Sequence, residues 1–124
     1  MRNKFLNTGQ AGFRPLRKLK ICMSGLRYAV LADFSVAYKI LLSSILLAVC
    51  LALHKWFDLL LLIVATGVMV ISEIFNTAIE AICDIIQPDE DPRIGIIKDI
   101  AAAAAGVSIL IWVIVFVFEV ASLL

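Results

Sequence analysis

The stretch "VISEIFNTAIEAICDII", Val70 to Ile86, follows the run "LLLLIVATGVM" and places two glutamates, an aspartate and an asparagine inside an apolar segment. A charged side chain at the centre of a bilayer costs about 2.5–3.5 kcal/mol on insertion scales. Something must offset that cost. At about 100° per residue and with Glu73 as zero, Asn76 falls near −60°, Glu80 near −20°, Asp84 near +20° and Thr77 near +40°. The strongly polar groups therefore share one face, while Ile71, Ile74, Ile82 and Ile85 keep the other face hydrocarbon.

The rest of the chain explains the setting. At 124 residues it forms at most one domain, and 63% of its residues are hydrophobic against 17% charged. A mean hydropathy of +1.05 is too apolar for a soluble globular chain of this length. The composition is that of a small, all-helical integral membrane protein, and no nucleic-acid partner is expected. Three cysteines, Cys22, Cys50 and Cys83, form no CxxC pair and are expected to be free. His54 stands alone between Leu53 and Lys55, so an interfacial role is its default.

Three segments reach the length of about 20 residues that a spanning helix needs. They cover residues 34–53, 59–86 and 94–123. "HKWFD", His54 to Asp58, separates the first two as a tight turn with Trp56 and Phe57 as headgroup-level anchors. "QPDEDPR", Gln87 to Arg93, is the second connection, marked by proline and charge. Ahead of the first span lie seven basic residues: Arg2, Lys4, Arg14, Arg17, Lys18, Lys20 and Arg27. Their excess predicts a cytoplasmic N-terminus and a cytoplasmic second loop. No small-residue cleavage site follows the first span, which is expected to stay in the membrane. Residues 1–12 read as disordered. Residues 13–32 interleave Leu16, Leu19, Cys22, Met23, Leu26, Ala29 and Val30 with basic residues, a pattern that predicts an amphipathic helix on the membrane surface.

The carboxylate stripe has three readings at this level. Three acids with few cations in the spans repel one another unless a cation lies among them. Hard oxygen ligands favour magnesium, which makes a functional site the leading reading. By the helical rise, Glu73 sits roughly 20 Å along the axis from Ile86 and Glu80 about 9 Å from it. The stripe thus runs from the water into the membrane, as a site joining a soluble reactant to a lipid requires. A second reading is a structural carboxylate pair within an oligomer. A third is an ion or proton path, but only Thr66 continues the polar face beyond Glu73. Lys98 and Asp99 open the third span close to the exit of the second, where the lysine can neutralise a phosphate. Asp33 precedes the first span at the same side. "AAAAAG", Ala101 to Gly106, offers small residues for close helix approach.

"EIFNTAIEAICD" followed by "IKDIAAAA" resembles the signature of the small prokaryotic diacylglycerol kinase family, which includes the undecaprenol kinases. "SGLRYA", Ser24 to Ala29, resembles that family's Gly-Leu-basic segment. The resemblance implies a homotrimer in the bacterial inner (cytoplasmic) membrane, each subunit with a surface helix and three transmembrane helices and with sites shared between subunits. It implies transfer of phosphate from ATP, with Mg2+, to a membrane lipid hydroxyl. Glu73 would be the catalytic base, and Glu80 and Asp33 the metal ligands. Asn76, Asp84, Lys98 and Asp99 would hold nucleotide and phosphates, with Arg14 and Arg17 candidates for the same contacts. No lipid-binding residue is indicated. The chain departs from the family where Asp33 takes the place of a glutamate and where Val36 and Ala37 replace a Phe-Arg pair. A divergent member with another acceptor, or a non-catalytic membrane subunit, is the alternative.

Overall fold

A computed structural model describes residues 14–124, all in four helices and their short connections. The tail expected over residues 1–12, and Phe13, lie outside the described residues. Helix α1 covers Pro15–Ala32, α2 Phe34–Ala52, α3 Trp56–Ile86 and α4 Pro92–Leu123. The last three are long and apolar enough to cross a membrane, so the chain is a multi-pass membrane protein. They run antiparallel in sequence order, with α3 packed along α4, α2 against α3, and α1 touching α2 and α3 at one end. That end, which also carries the α3–α4 connection, is called the loop end below; the opposite is the turn end.

Each spanning helix buries a narrow seam whose members recur every three or four residues. On α2 these are Val36, Lys39, Ser43, Leu46 and Cys50. On α3 they include Leu62, Ala65, Met69 and Glu73, and on α4 Ala101, Ala105, Ser108, Trp112 and Glu119. That alternation keeps a side chain facing the partner on every turn, as in coiled-coil packing. Small residues bring the helices close, because lipid gives no hydrophobic drive for helix association. Of the small-residue run, Ala101 and Ala105 join the seam, whereas a side chain at Gly106 would meet open space. Gly106 lies one position off the alternation. Large apolar residues such as Leu41, Ile63, Val107 and Ile114 stay exposed on the chain, the surface of a protein solvated by hydrocarbon.

The seam carries polar groups with assigned partners at two levels. The Trp112 indole Nε1 donates to Ser43 Oγ at 2.8 Å, tying α4 to α2. Deeper toward the loop end, Lys39 meets Glu73. At the turn end Glu119 is wholly buried, neither of its oxygens is hydrogen-bonded, and Asp58 and Lys55 are the nearby charges.

The connections are tighter than the sequence suggests. His54 adopts φ 55°, in the left-handed region, and Lys55 N donates to Cys50 O at 2.9 Å, so the chain reverses over Leu53 to Lys55. Trp56, Phe57 and Asp58, expected from the sequence to lie in the turn, are instead the first turn of α3. The His54 ring stands edge-on to Trp56 at 5.9 Å. Helix α4 likewise starts two residues early, at Pro92, because proline suits the first helical position and Asp91 caps it. Asp91 Oδ1 accepts from Arg93 N at 2.9 Å, and the Arg93 guanidinium grips both oxygens at 3.2 and 2.9 Å. All three cysteines are free: Cys22 is exposed, Cys50 and Cys83 buried.

The cap has a pH signature. The Arg93 guanidinium, and then the Arg93 backbone N–H, hold the Asp91 carboxyl below its ordinary value of 3.8. A carboxylate lowered on folding stabilises the folded state above its unfolded value, and that contribution disappears as pH falls through the folded value. Amide protection in the first turn of α4, taken relative to the intrinsic exchange rate at each pH, is therefore expected to hold steady from neutral pH down to about 4 and to fall below it. Asp91→Ala should show the reduced protection at every pH, as measured by hydrogen–deuterium exchange with mass spectrometry.

Candidate active site

Glu73 is buried, 4% exposed, on the seam of α3. Its Oε1 accepts from Lys39 Nζ of α2, forming an ion pair whose side chains are 5% and 3% exposed respectively. Lys39 Nζ also donates to Ser35 Oγ at 2.6 Å, and Ser35 N donates to Asp33 Oδ1 at 2.8 Å. Asp33 is thus the N-cap of α2, placed where α1 ends and α2 begins. The other Glu73 oxygen, Oε2, is buried with no hydrogen-bond partner.

One turn further along α3, Asn76 Nδ2 donates to Glu80 Oε1 at 3.1 Å, while Asn76 Oδ1 is buried without a partner. Thr77 Oγ1 bonds back to Glu73 O at 3.0 Å and keeps its hydroxyl off the site. Three turns beyond Glu73, Asp84 Oδ1 accepts from Lys98 Nζ of α4 at 2.5 Å. Beside this pair the α3–α4 connection encloses an open recess of about 490 Å³, lined among others by Asp84, Asp89, Glu90, Asp91 and Lys98. The three loop acids face this recess and not away from it. Asp99, Arg14 and Arg17 are exposed. Among the described residues no hydrogen bond or ion pair joins Asp99 to the other site residues.

Helix lengths set the levels. Lys39 lies five residues inside α2, about 7.5 Å from its start by the helical rise. Glu73 shares that level, so α3, which continues 13 residues past Glu73, overhangs the start of α2 by about 12 Å. Glu80 comes at the rim and Asp84 in the overhang, both exposed. The stripe read from the sequence is thus divided into a buried member with a cation and exposed members at the rim.

A hard cation suits the donor set. Asn76 Oδ1 is an orphaned oxygen acceptor, and the Glu80 carboxylate that its amide holds lies at the open side. Asp33 has Oδ1 committed to its cap, which leaves Oδ2 for a ligand. Among the described residues no group of three or more acids, histidines or cysteines is gathered closely enough to hold a metal alone. Such a site would need ligand oxygens from elsewhere, as phosphates supply in nucleotide-bound magnesium.

The sequence pattern alone does not single out Lys39 or Ser35. The available signal was positional: Lys39 falls on the alternation of Val36, Ser43, Leu46 and Cys50, which puts it inside the bundle and not at the lipid face.

The architecture, three spanning helices with a polar stripe descending from one end, is that of a multi-pass membrane protein with a polar cluster at one end of its bundle. Residues 20–119 match the family of the prokaryotic diacylglycerol kinases. The chain belongs to that family, whose members are lipid kinases. Neither the comparison with curated proteins nor that with solved structures returned a match.

Proposed function

We propose that the protein transfers the γ-phosphate of ATP to the hydroxyl of a membrane lipid of the diacylglycerol or undecaprenol class. The observation that carries this is the unpartnered Glu73 Oε2, buried about 7.5 Å inside the start of α2 and below exposed charges on the same helix face. A hydroxyl reaching that level from the lipid gives its proton to Oε2. The lipid oxygen attacks the terminal phosphorus in line, a new P–O bond forms, and the bond to the ADP oxygen breaks. Lys98, held by Asp84, offers positive charge to the phosphates, and Asp99, Arg14 and Arg17 are read as further contacts to the nucleotide. Asn76 fixes Glu80 by its amide. Mg2+, when held by Glu80 and Asp33 together with the nucleotide, supplies charge neutralisation at the transferring phosphate. The recess lined by carboxylates favours a nucleotide that carries its cation over a bare polyphosphate.

The reading extends to the assembly and its place. The exposed seam-side charges at the loop end support a site completed in a homotrimer. The basic residues Arg14, Arg17, Lys18, Lys20 and Arg27 on α1 or at its edge support a surface helix on the cytoplasmic leaflet of a bacterial inner membrane. A non-catalytic membrane subunit is the second reading, and it is favoured by one observation: the buried Lys39–Glu73 pair also suits a purely structural link between α2 and α3.

The assay is phosphate transfer from labelled ATP, with and without magnesium, to a panel of lipid alcohols in mixed micelles. Magnesium-dependent labelling of one class is expected. Labelling of none by a folded protein that also fails to bind ATP overturns the proposal in favour of the subunit.

A further inference from the structure

We infer that Lys39 is the positioning residue of the base: it holds Glu73 as a charged carboxylate in a water-poor seam and commits Oε1, so that Oε2 is the oxygen left for the acceptor hydroxyl. The catalytic half of this statement rests on the reading of Glu73 as base; the electrostatic half rests on the pair alone.

Lys39 sits about 7.5 Å from the start of its helix, close enough for a lysine to extend its ammonium to the headgroups. It does not do so. The residue is 2% exposed and its ammonium turns inward to Glu73. Two contacts keep it there. Ser35 Oγ, one turn earlier on the same helix, accepts from it at 2.6 Å, and Ser35 is itself fixed by its backbone bond to Asp33. The Tyr38 ring centroid lies 5.8 Å from the ammonium.

Among the described residues Lys39 is the one buried cation, so no other group in the seam can balance the Glu73 charge. A buried carboxylate with no countercharge takes up a proton instead, and a protonated acid cannot act as a base. The pair also chooses between the two oxygens. Oε1 is engaged by the ammonium, and Oε2 faces no donor from the chain. When Oε2 receives the hydroxyl proton, the ammonium bond to Oε1 persists and the carboxyl keeps its orientation for the next turnover.

The test is infrared spectroscopy of the full chain in lipid nanodiscs at neutral pH, with Glu73→Gln as the difference reference that isolates this one carboxyl. Wild type and Lys39→Arg are expected to lack the C=O stretch of a protonated Glu73; Lys39→Met is expected to show it. In the transfer assay Lys39→Met should lose about 10²-fold in kcat with KM for ATP within about twofold, and Lys39→Arg, which keeps the charge, should recover most of the loss. Should Lys39→Met alone not fold, Lys39→Met/Glu73→Gln, which removes both charges, is expected to fold; its failure overturns the pairing. A protonated Glu73 in wild type, or none in Lys39→Met, also overturns it. The expected bands in a wild type that phosphorylates no lipid would uphold the charge pairing and remove the kinase reading instead.

Discussion

Replacing Glu73 with glutamine is expected to lower lipid phosphorylation by about 10³-fold, within the 10²–10⁴ range of a lost general base. The amide keeps the shape of the carboxyl and an oxygen for Lys39, but it has no atom able to accept the hydroxyl proton. Since the exposed groups around Asp84 and Lys98 are untouched, the loss should fall on kcat with KM for ATP changed by about twofold at most. Steady-state transfer in mixed micelles, with ATP varied at saturating lipid, separates the two. Glu73→Leu goes further. It strands the Lys39 ammonium in the seam, and breaking one side of a buried pair costs about 3–5 kcal/mol. The leucine variant should therefore melt well below the glutamine variant, and equal melting would mean that the pair carries no structural load.

The second large effect is one of stability. Trp112 is 6% exposed, bonds Ser43 across to α2 and packs on Phe116 with ring centroids 5.0 Å apart. Trp112→Ala removes the side chain that links α4 to α2 and orphans the Ser43 hydroxyl. Large-to-small changes of this kind cost about 3–5 kcal/mol in soluble cores. About 3 kcal/mol is expected here, since lipid gives no hydrophobic drive for helix association and only packing and the hydrogen bond are lost. Trp112→Phe keeps a ring and forfeits mainly the bond, which is worth about 1 kcal/mol. Thermal unfolding in detergent should rank wild type, Phe and Ala in that order. Trp112 lies about 21 Å along α4 from Lys98, so the folded fraction should keep its full kcat at low temperature.

Much of this molecule is visible in its sequence because lipid imposes simple rules. Spanning length and apolar runs locate α2, α3 and α4 to within a few residues, and the errors lie where local chemistry overrides composition: the positive φ of His54 and the cap of Asp91. The stripe of Glu73, Asn76, Glu80 and Asp84 is also readable, since one helix carries all of it. What spacing cannot supply is the partner on another helix. Lys39 and Glu73 are 34 residues apart, and Lys98 and Asp84 are 14 apart across a loop. A lysine near a helix end has a ready explanation as an interfacial residue, and only packing shows that its ammonium turns the other way. The countercharge sought in a metal ion is, for Glu73, supplied by the chain itself.

The unequal helices have a consequence for what the protein measures. With α2 at 19 residues and α3 and α4 at 31 and 32, the bundle is a ruler with a fixed mark at Glu73 and a shaft rising past it. A lipid hydroxyl travels with the plane of the headgroups, whereas Glu73 travels with the bundle. The register between them is set by bilayer thickness, and each ångström of misfit costs a fraction of a kcal/mol. On the proposed mechanism a thicker membrane lifts the hydroxyl toward Glu80, and a thinner one lowers it below Glu73. Acceptor choice is then written partly in the membrane and not only in the protein.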